Sequence, residues 1–123
     1  MKVAILGTGY VGLITGVCLA KKNHKVVSVD IDEKIVNTIN NAKPHIYEEN
    51  LDEMLEEVIS KGNFYATTSI EIALEMSDIV IIAVGTPSKN GDIDLSHIKT
   101  AAEEIGRFMK ISKKPITVIV KST

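Results

Sequence analysis

The sequence predicts an α/β fold: a doubly wound parallel sheet of five strands with helices on both faces. Three observations carry that reading. Short β-branched runs alternate with longer stretches of helical period. The run Ile79 to Val84 is apolar throughout, as a strand covered on both faces must be. A glycine turn, GTGYVG at residues 7–12, separates the first strand from the first helix.

Each segment has its own local reason. KVAIL at the N-terminus is a first strand. Tyr10 to Lys22 has helical period, with Val11, Ile14, Val17 and Cys18 expected to face inward, and Asn23 is a suitable left-handed stop. Lys25 to Val29 reads as the second strand. Asp32 can cap a helix to about Asn41 with an apolar stripe of Ile35, Val36 and Ile39. Pro44 opens a loop. Asn50 and Glu53 then resemble a capping pair for a helix striped by Leu51, Met54, Leu55, Val58 and Ile59, which Gly62 ends. Phe64 to Thr67 is a short third strand, and Thr68 with Glu71 is a capping box before a helix through Met76. After the fourth strand, GTPSKNGDID forms a loop in which Asn90-Gly91 is a tight-turn pair. A helix from Leu95 to Met109 follows, with Leu95, Ile98, Ala102, Ile105 and Phe108 or Met109 inward. Ile116 to Val120 is the fifth strand.

Composition excludes several classes. The chain has 123 residues, the size of one domain, which at this length buries roughly two-thirds of the surface of its unfolded chain. With 45% apolar residues, 24% charged residues and a net charge of -2, it is neither disordered nor a basic surface for nucleic acid. It has no Trp for stacking bases. No run reaches the ~20 apolar residues of a membrane span. Glycines 7, 9, 12 and 16 interrupt what would otherwise resemble a signal segment. Cys18 is alone, so neither a disulfide nor a metal-binding spacing is available, and a reducing, cytoplasmic compartment is expected. A thiol on an inward helix face is a small core residue. His24, His45 and His97 lack any metal spacing and are expected to be solvated.

The glycine turn carries the chemistry. Between strand and helix, Gly7 allows the tight turn, Gly9 lets a pyrophosphate approach the backbone, and Gly12 lets helix and strand pack closely. The helix then aims its free N–H groups at the phosphates, so no lysine is required. Asp30 ends the second strand, 18 residues past Gly12. A carboxylate there accepts both ribose hydroxyls of an adenosine and repels a 2′-phosphate, which favours NAD over NADP. The bland alternative is an ordinary turn with Asp30 as a helix cap. A Rossmann-like winding of this kind has strand order 3-2-1-4-5 and binds ligands at the carboxyl ends of strands one and four. The turns after the fourth and fifth strands carry Thr86-Pro87 and Ser122-Thr123. Pro87 stiffens its loop, and the hydroxyls are either cofactor contacts or plain loop residues.

Together the stretches ILGTGYVGL, VDID, IYEENL, AVGTPSKNGDIDL and VIVKST resemble the UDP-glucose/GDP-mannose 6-dehydrogenase family, in its order and at about its spacing. The resemblance implies an NAD-binding domain of an enzyme that oxidises the C6 hydroxyl of a nucleotide sugar, UDP-glucose first, to a carboxylate. Two hydrides pass in turn to two NAD. It places Gly7, Gly9, Tyr10, Val11 and Gly12 at the pyrophosphate, Asp30 at the adenosine ribose, and Thr86, Pro87 and Thr123 on the nicotinamide side. Ile35 stands where the family usually carries Lys or Arg, and Lys34 beside it is the candidate substitute. Glu49-Asn50 replaces the family's Pro-Gly.

The family's catalytic cysteine, a lysine and the sugar-binding residues lie beyond the KST stretch. Residues 1–123 are therefore expected to be one cofactor-binding domain, truncated before the substrate domain, that binds NAD without turnover. Two rival readings are a regulatory NAD-sensing module and an NAD dehydrogenase of the hydroxyacyl or sugar-phosphate type. Homo-oligomers are expected, with strand five at an exposed sheet edge that invites pairing. The discriminating residues for the sugar nucleotide fall outside the chain.

Overall fold

The computed structural model describes residues 1–121, apart from the side chain of Lys89. Parallel strands β1 (Lys2–Leu6), β2 (Lys25–Val29), β3 (Phe64–Thr67), β4 (Ile79–Ile82) and β7 (Thr117–Val120) form one sheet in the order β3-β2-β1-β4-β7. Counted within the sheet, that is the expected 3-2-1-4-5. Helices α1 (Tyr10–Lys21), α2 (Glu33–Asn40) and α3 (Leu51–Ser60) cover one face, and α4 (Ile70–Met76) and α5 (Ser96–Ser112) the other. The sheet's side chains alternate accordingly. Val3 and Ile5 of β1 join the core under α1 and α3, while Ala4 and Leu6 join the core under α4 and α5.

The loop after β4 holds a two-stranded hairpin that the sequence reading did not separate out, β5 (Ser88–Lys89) against β6 (Asp92–Ile93). Asn90 (φ 54°) and Gly91 (φ 85°) form its turn. Positive φ at both central residues gives the strand twist that a two-residue hairpin needs, which is why Asn-Gly suits it.

Several local expectations change. Helix α1 packs through Gly12, Leu13, Gly16, Val17 and Ala20, so Cys18 is exposed rather than in the core. Its apolar residues are spread almost evenly around the helix, and the phase is decided by where backbone can approach. A Cβ on Gly16 would lie 2.9 Å from Phe64 Cε2 and 3.1 Å from Ile5 Cδ1. In α5 the buried residues are Ala101 and Ile105, whereas Ala102 and Leu95 are exposed. The helix begins one residue later than expected and runs on to Ser112.

Two proposed caps also move. Asn50 does precede α3, but its backbone is left-handed (φ 67°) and its side chain makes no cap hydrogen bond. Ser69, not Thr68, caps α4 by accepting from the Ile72 N–H. Asn23 (φ 72°) and Asp32, which accepts from the Lys34 N–H, act as expected. His45 is half-buried, and its Nδ1 is shut from solvent without a hydrogen-bond partner, contrary to the solvated position expected. Among the described residues no helix is long and apolar enough to cross a membrane.

Candidate cofactor-binding site

The carboxyl ends of β1, β2 and β4 are tied together by backbone. Gly7 N–H donates to Val29 O (2.9 Å) and Ala83 N–H to Leu6 O (2.8 Å). These bonds bring the glycine turn, Asp30 and the start of the Thr86 loop to one edge of the sheet, where the strand order reverses. A cleft of about 920 Å³ opens there, near the upper end of the range usual for ligand pockets, about 300–1,000 Å³.

Each glycine of the turn meets a different surrounding. Gly7 has φ +110°, and a Cβ there would lie 2.6 Å from Ala83 O. A Cβ on Gly12 would lie 2.2 Å from Gly7 O, so this residue lets the helix fold back against its own turn. Gly9 differs: nothing lies within 4 Å of the place a Cβ would take. The space above Gly9 is open to a ligand.

Helix α1 begins there with its N–H groups unserved by side chains. Its N-cap is Gly9, no side chain bonds to the first turn, and the first turn has no acidic residue. By contrast, Asp32 caps α2 and Ser69 caps α4, Asp94 just before α5 accepts the Ser96 N–H, and α3, which also lacks a side-chain cap, carries Asp52 and Glu53 in its first turn. An uncapped helix N-terminus facing a cleft is suited to an anion. With the opening over Gly9, it fits a diphosphate.

Asp30 is half-buried at the end of β2. Its Oδ2 accepts a hydrogen bond from the Thr8 hydroxyl, and its Oδ1 accepts from the Asp32 N–H at 2.8 Å. On the other side of the turn, the Tyr10 hydroxyl donates to Glu48 Oε2 at 2.7 Å, joining the turn to the loop before α3. That bond to Glu48, with the repulsion its charge would exert on a phenolate, raises the Tyr10 pKa above the ordinary value of 10.0.

The cleft is lined by Gly7, Gly9, Tyr10, Val11, Asp30 and Thr86 among the residues singled out from the sequence. Gly12 is buried beneath the turn, and Lys34 and Pro87 stand outside the lining. Thr123 lies outside the described residues. Sequence reasoning missed Thr8, Ile31 and the α5 residues His97, Thr100 and Glu104, all of which line the cleft. Thr8 and Ile31 adjoin Gly7, Gly9 and Asp30 in the sequence, which is the signal that could have found them. The α5 residues carry no local signal, because only the crossover brings their helix to this edge.

The strand order, the glycine turn and the acid at the end of β2 define a Rossmann-type dinucleotide-binding domain. Over residues 1–123 the chain belongs to the UDP-glucose/GDP-mannose dehydrogenase family, NAD binding domain, and NAD is the cofactor this domain takes. It is 40% identical over 124 residues to a GDP-mannose 6-dehydrogenase of Pseudomonas syringae pv. syringae, covering 100% of this chain and 28% of that protein. It is 42% identical over 123 residues to the UDP-glucose 6-dehydrogenase TuaD of Bacillus subtilis, covering 99% of this chain and 26% of that one. A crystal structure of a ternary complex of GDP-mannose dehydrogenase from Pseudomonas aeruginosa matches with a TM-score of 0.96 and 39% identity, over 100% of this chain and 28% of that chain. The chain thus spans little more than a quarter of the length of these relatives.

Proposed function

We propose that the chain is the cofactor-holding part of a longer nucleotide-sugar 6-dehydrogenase, whose catalytic cysteine and sugar-binding residues lie in sequence beyond these 123 residues. The relatives named for GDP-mannose and UDP-glucose 6-dehydrogenase activity support this reading. UDP-glucose is the substrate we put first. Bound NAD supplies the hydride acceptor, and oxidising a C6 hydroxyl to a carboxylate removes two hydrides in succession, so two NAD are consumed per sugar.

The residues of this chain bind and orient. The turn from Gly7 to Gly12, with Val11, holds the pyrophosphate through the backbone N–H groups left free at the start of α1, and Asp30 accepts the adenosine ribose hydroxyls. Tyr10 closes the turn against the loop of Glu48. Thr86 and Thr123 serve the nicotinamide side, Pro87 stiffens the Thr86 loop, and Lys34 adds a basic contact toward the adenosine. We place the protein in the cytoplasm as a homo-oligomer. The uncapped α1 N-terminus beside Asp30 is the observation that carries the binding role.

Calorimetric titration of the 123-residue chain tests it: NAD should bind more tightly than NADP, and equal or reversed affinities would sink the assignment of Asp30. In the full-length protein, Thr86→Val should lower turnover with UDP-glucose. Turnover with GDP-mannose alone would reject the substrate ranking. Unchanged turnover in the variant would favour a sensing role.

A further inference from the structure

We propose that Thr8, the residue between the first two glycines of the turn, is a positioning residue that sets how Asp30 meets a ribose. Thr8 is 1% exposed, so its hydroxyl has no access to bulk water and must find a partner within the protein. It finds the Asp30 carboxylate. Asp30 is thereby held from two sides, by a side-chain hydroxyl on Oδ2 and by the Asp32 N–H on Oδ1.

The count of acceptor positions gives this arrangement its meaning. A carboxylate offers about four lone-pair sites. Thr8 and Asp32 occupy two, and the two that remain match the two hydroxyls of a vicinal diol. The bonds from Thr8 and Asp32 also hold the plane of the carboxylate, so little rotamer freedom is left to lose when the diol arrives. A 2′-phosphate has no comparable pair of protons to offer and meets a fixed negative charge. Thr8 therefore acts through Asp30 on the choice between an unmodified and a phosphorylated ribose, and this inference rests on the assignment of Asp30 to the ribose.

The test is calorimetric titration of the 123-residue chain and its variants with NAD, NADP and 2′-deoxy-NAD. Thr8→Val keeps the side chain's shape and removes the hydroxyl. It should weaken NAD binding about tenfold, whereas Thr8→Ser should stay within about twofold of the parent. The loss in Thr8→Val should be smaller for 2′-deoxy-NAD, which lacks one of the positioned hydroxyls, and the preference for NAD over NADP should narrow. On an Asp30→Asn background, Thr8→Val should add little, because the two act as a unit. Thr8→Ala serves the same comparison where the valine variant does not fold. Equal losses for NAD and 2′-deoxy-NAD, or NAD binding in both Val and Ala variants at the parent's affinity, would overturn the proposal. Parental NAD affinity in Asp30→Asn would instead overturn the ribose assignment beneath it.

Discussion

Gly9 and Gly12 stand three residues apart and should answer differently to one added methyl group. Ala normally gains about 1 kcal/mol over Gly inside a helix. At Gly12 that gain is outweighed, because the new Cβ would sit 2.2 Å from the Gly7 carbonyl oxygen, and backbone cannot swing aside as a flexible side chain can. We expect Gly12→Ala to lose about 1–3 kcal/mol of stability in urea melts, the usual cost of overpacking. Gly9 has φ −72°, acceptable to any L residue, and open space where the Cβ would go. Gly9→Ala should keep its stability within about 0.5 kcal/mol while NAD affinity falls about tenfold or more. A Gly9→Ala protein that binds NAD as the parent does would show that the diphosphate does not pass over this residue. The roles of these glycines were legible in the sequence because they follow from the missing Cβ. The bond from Thr8 to Asp30 was not, since it joins residues 22 apart whose side chains meet only across two strands.

Among the helices, start signals were easier to see than their registers. Asp32 stands directly before α2, and the structure uses it. Before α4, Thr67, Thr68 and Ser69 stand in a row, all able to cap, and the end of β3 decides in favour of Ser69. At the start of α5 the bond from the Ser96 N–H to Asp94 should respond to pH. Hydrogen bonding of the Asp94 carboxylate to Ser96, first through the backbone N–H, lowers the Asp94 pKa below its ordinary 3.8, with a lesser contribution from His97. A lowered carboxyl pKa contributes stability that is present above the ordinary value and lost as pH falls through the lowered one. Asp94→Ala should therefore be less stable than the parent at about pH 7, and the gap should close in acid, below 3.8. Urea melts across that range check it, and a gap independent of pH would show that the charge has no part. Helix α1 shows the converse difficulty: apolar on nearly every side, it has no phase to read, and its glycines decide which side meets the sheet.

In the molecule as a whole, β7 is an open boundary. Among the described residues it pairs with β4 alone, and Val118 (42%), Ile119 (42%) and Val120 (55%) are substantially exposed. An open parallel-sheet edge carrying apolar side chains is a template for another strand. The 123-residue chain by itself should therefore show an average mass that rises with concentration in light scattering. A strict monomer at high concentration would count against it. The opposite edge, β3, is better protected: Asn40 of α2 donates to Ala66 O at 2.9 Å and accepts from Ala66 N–H at 2.8 Å.

By itself the sequence determined the alternation of strands and helices, the winding of the sheet, the glycine turn and the acid that follows it. Those features rest on chemistry local to the chain: side-chain period, the stereochemistry of glycine, and turn residues at fixed offsets. Only the tertiary structure decided that Cys18 faces outward, that Thr8 holds Asp30, and that His97 and Glu104 of α5 reach the cleft. Each depends on which atoms stand opposite one another after the strands align, and close packing across the sheet sets that, whatever the spacing along the chain.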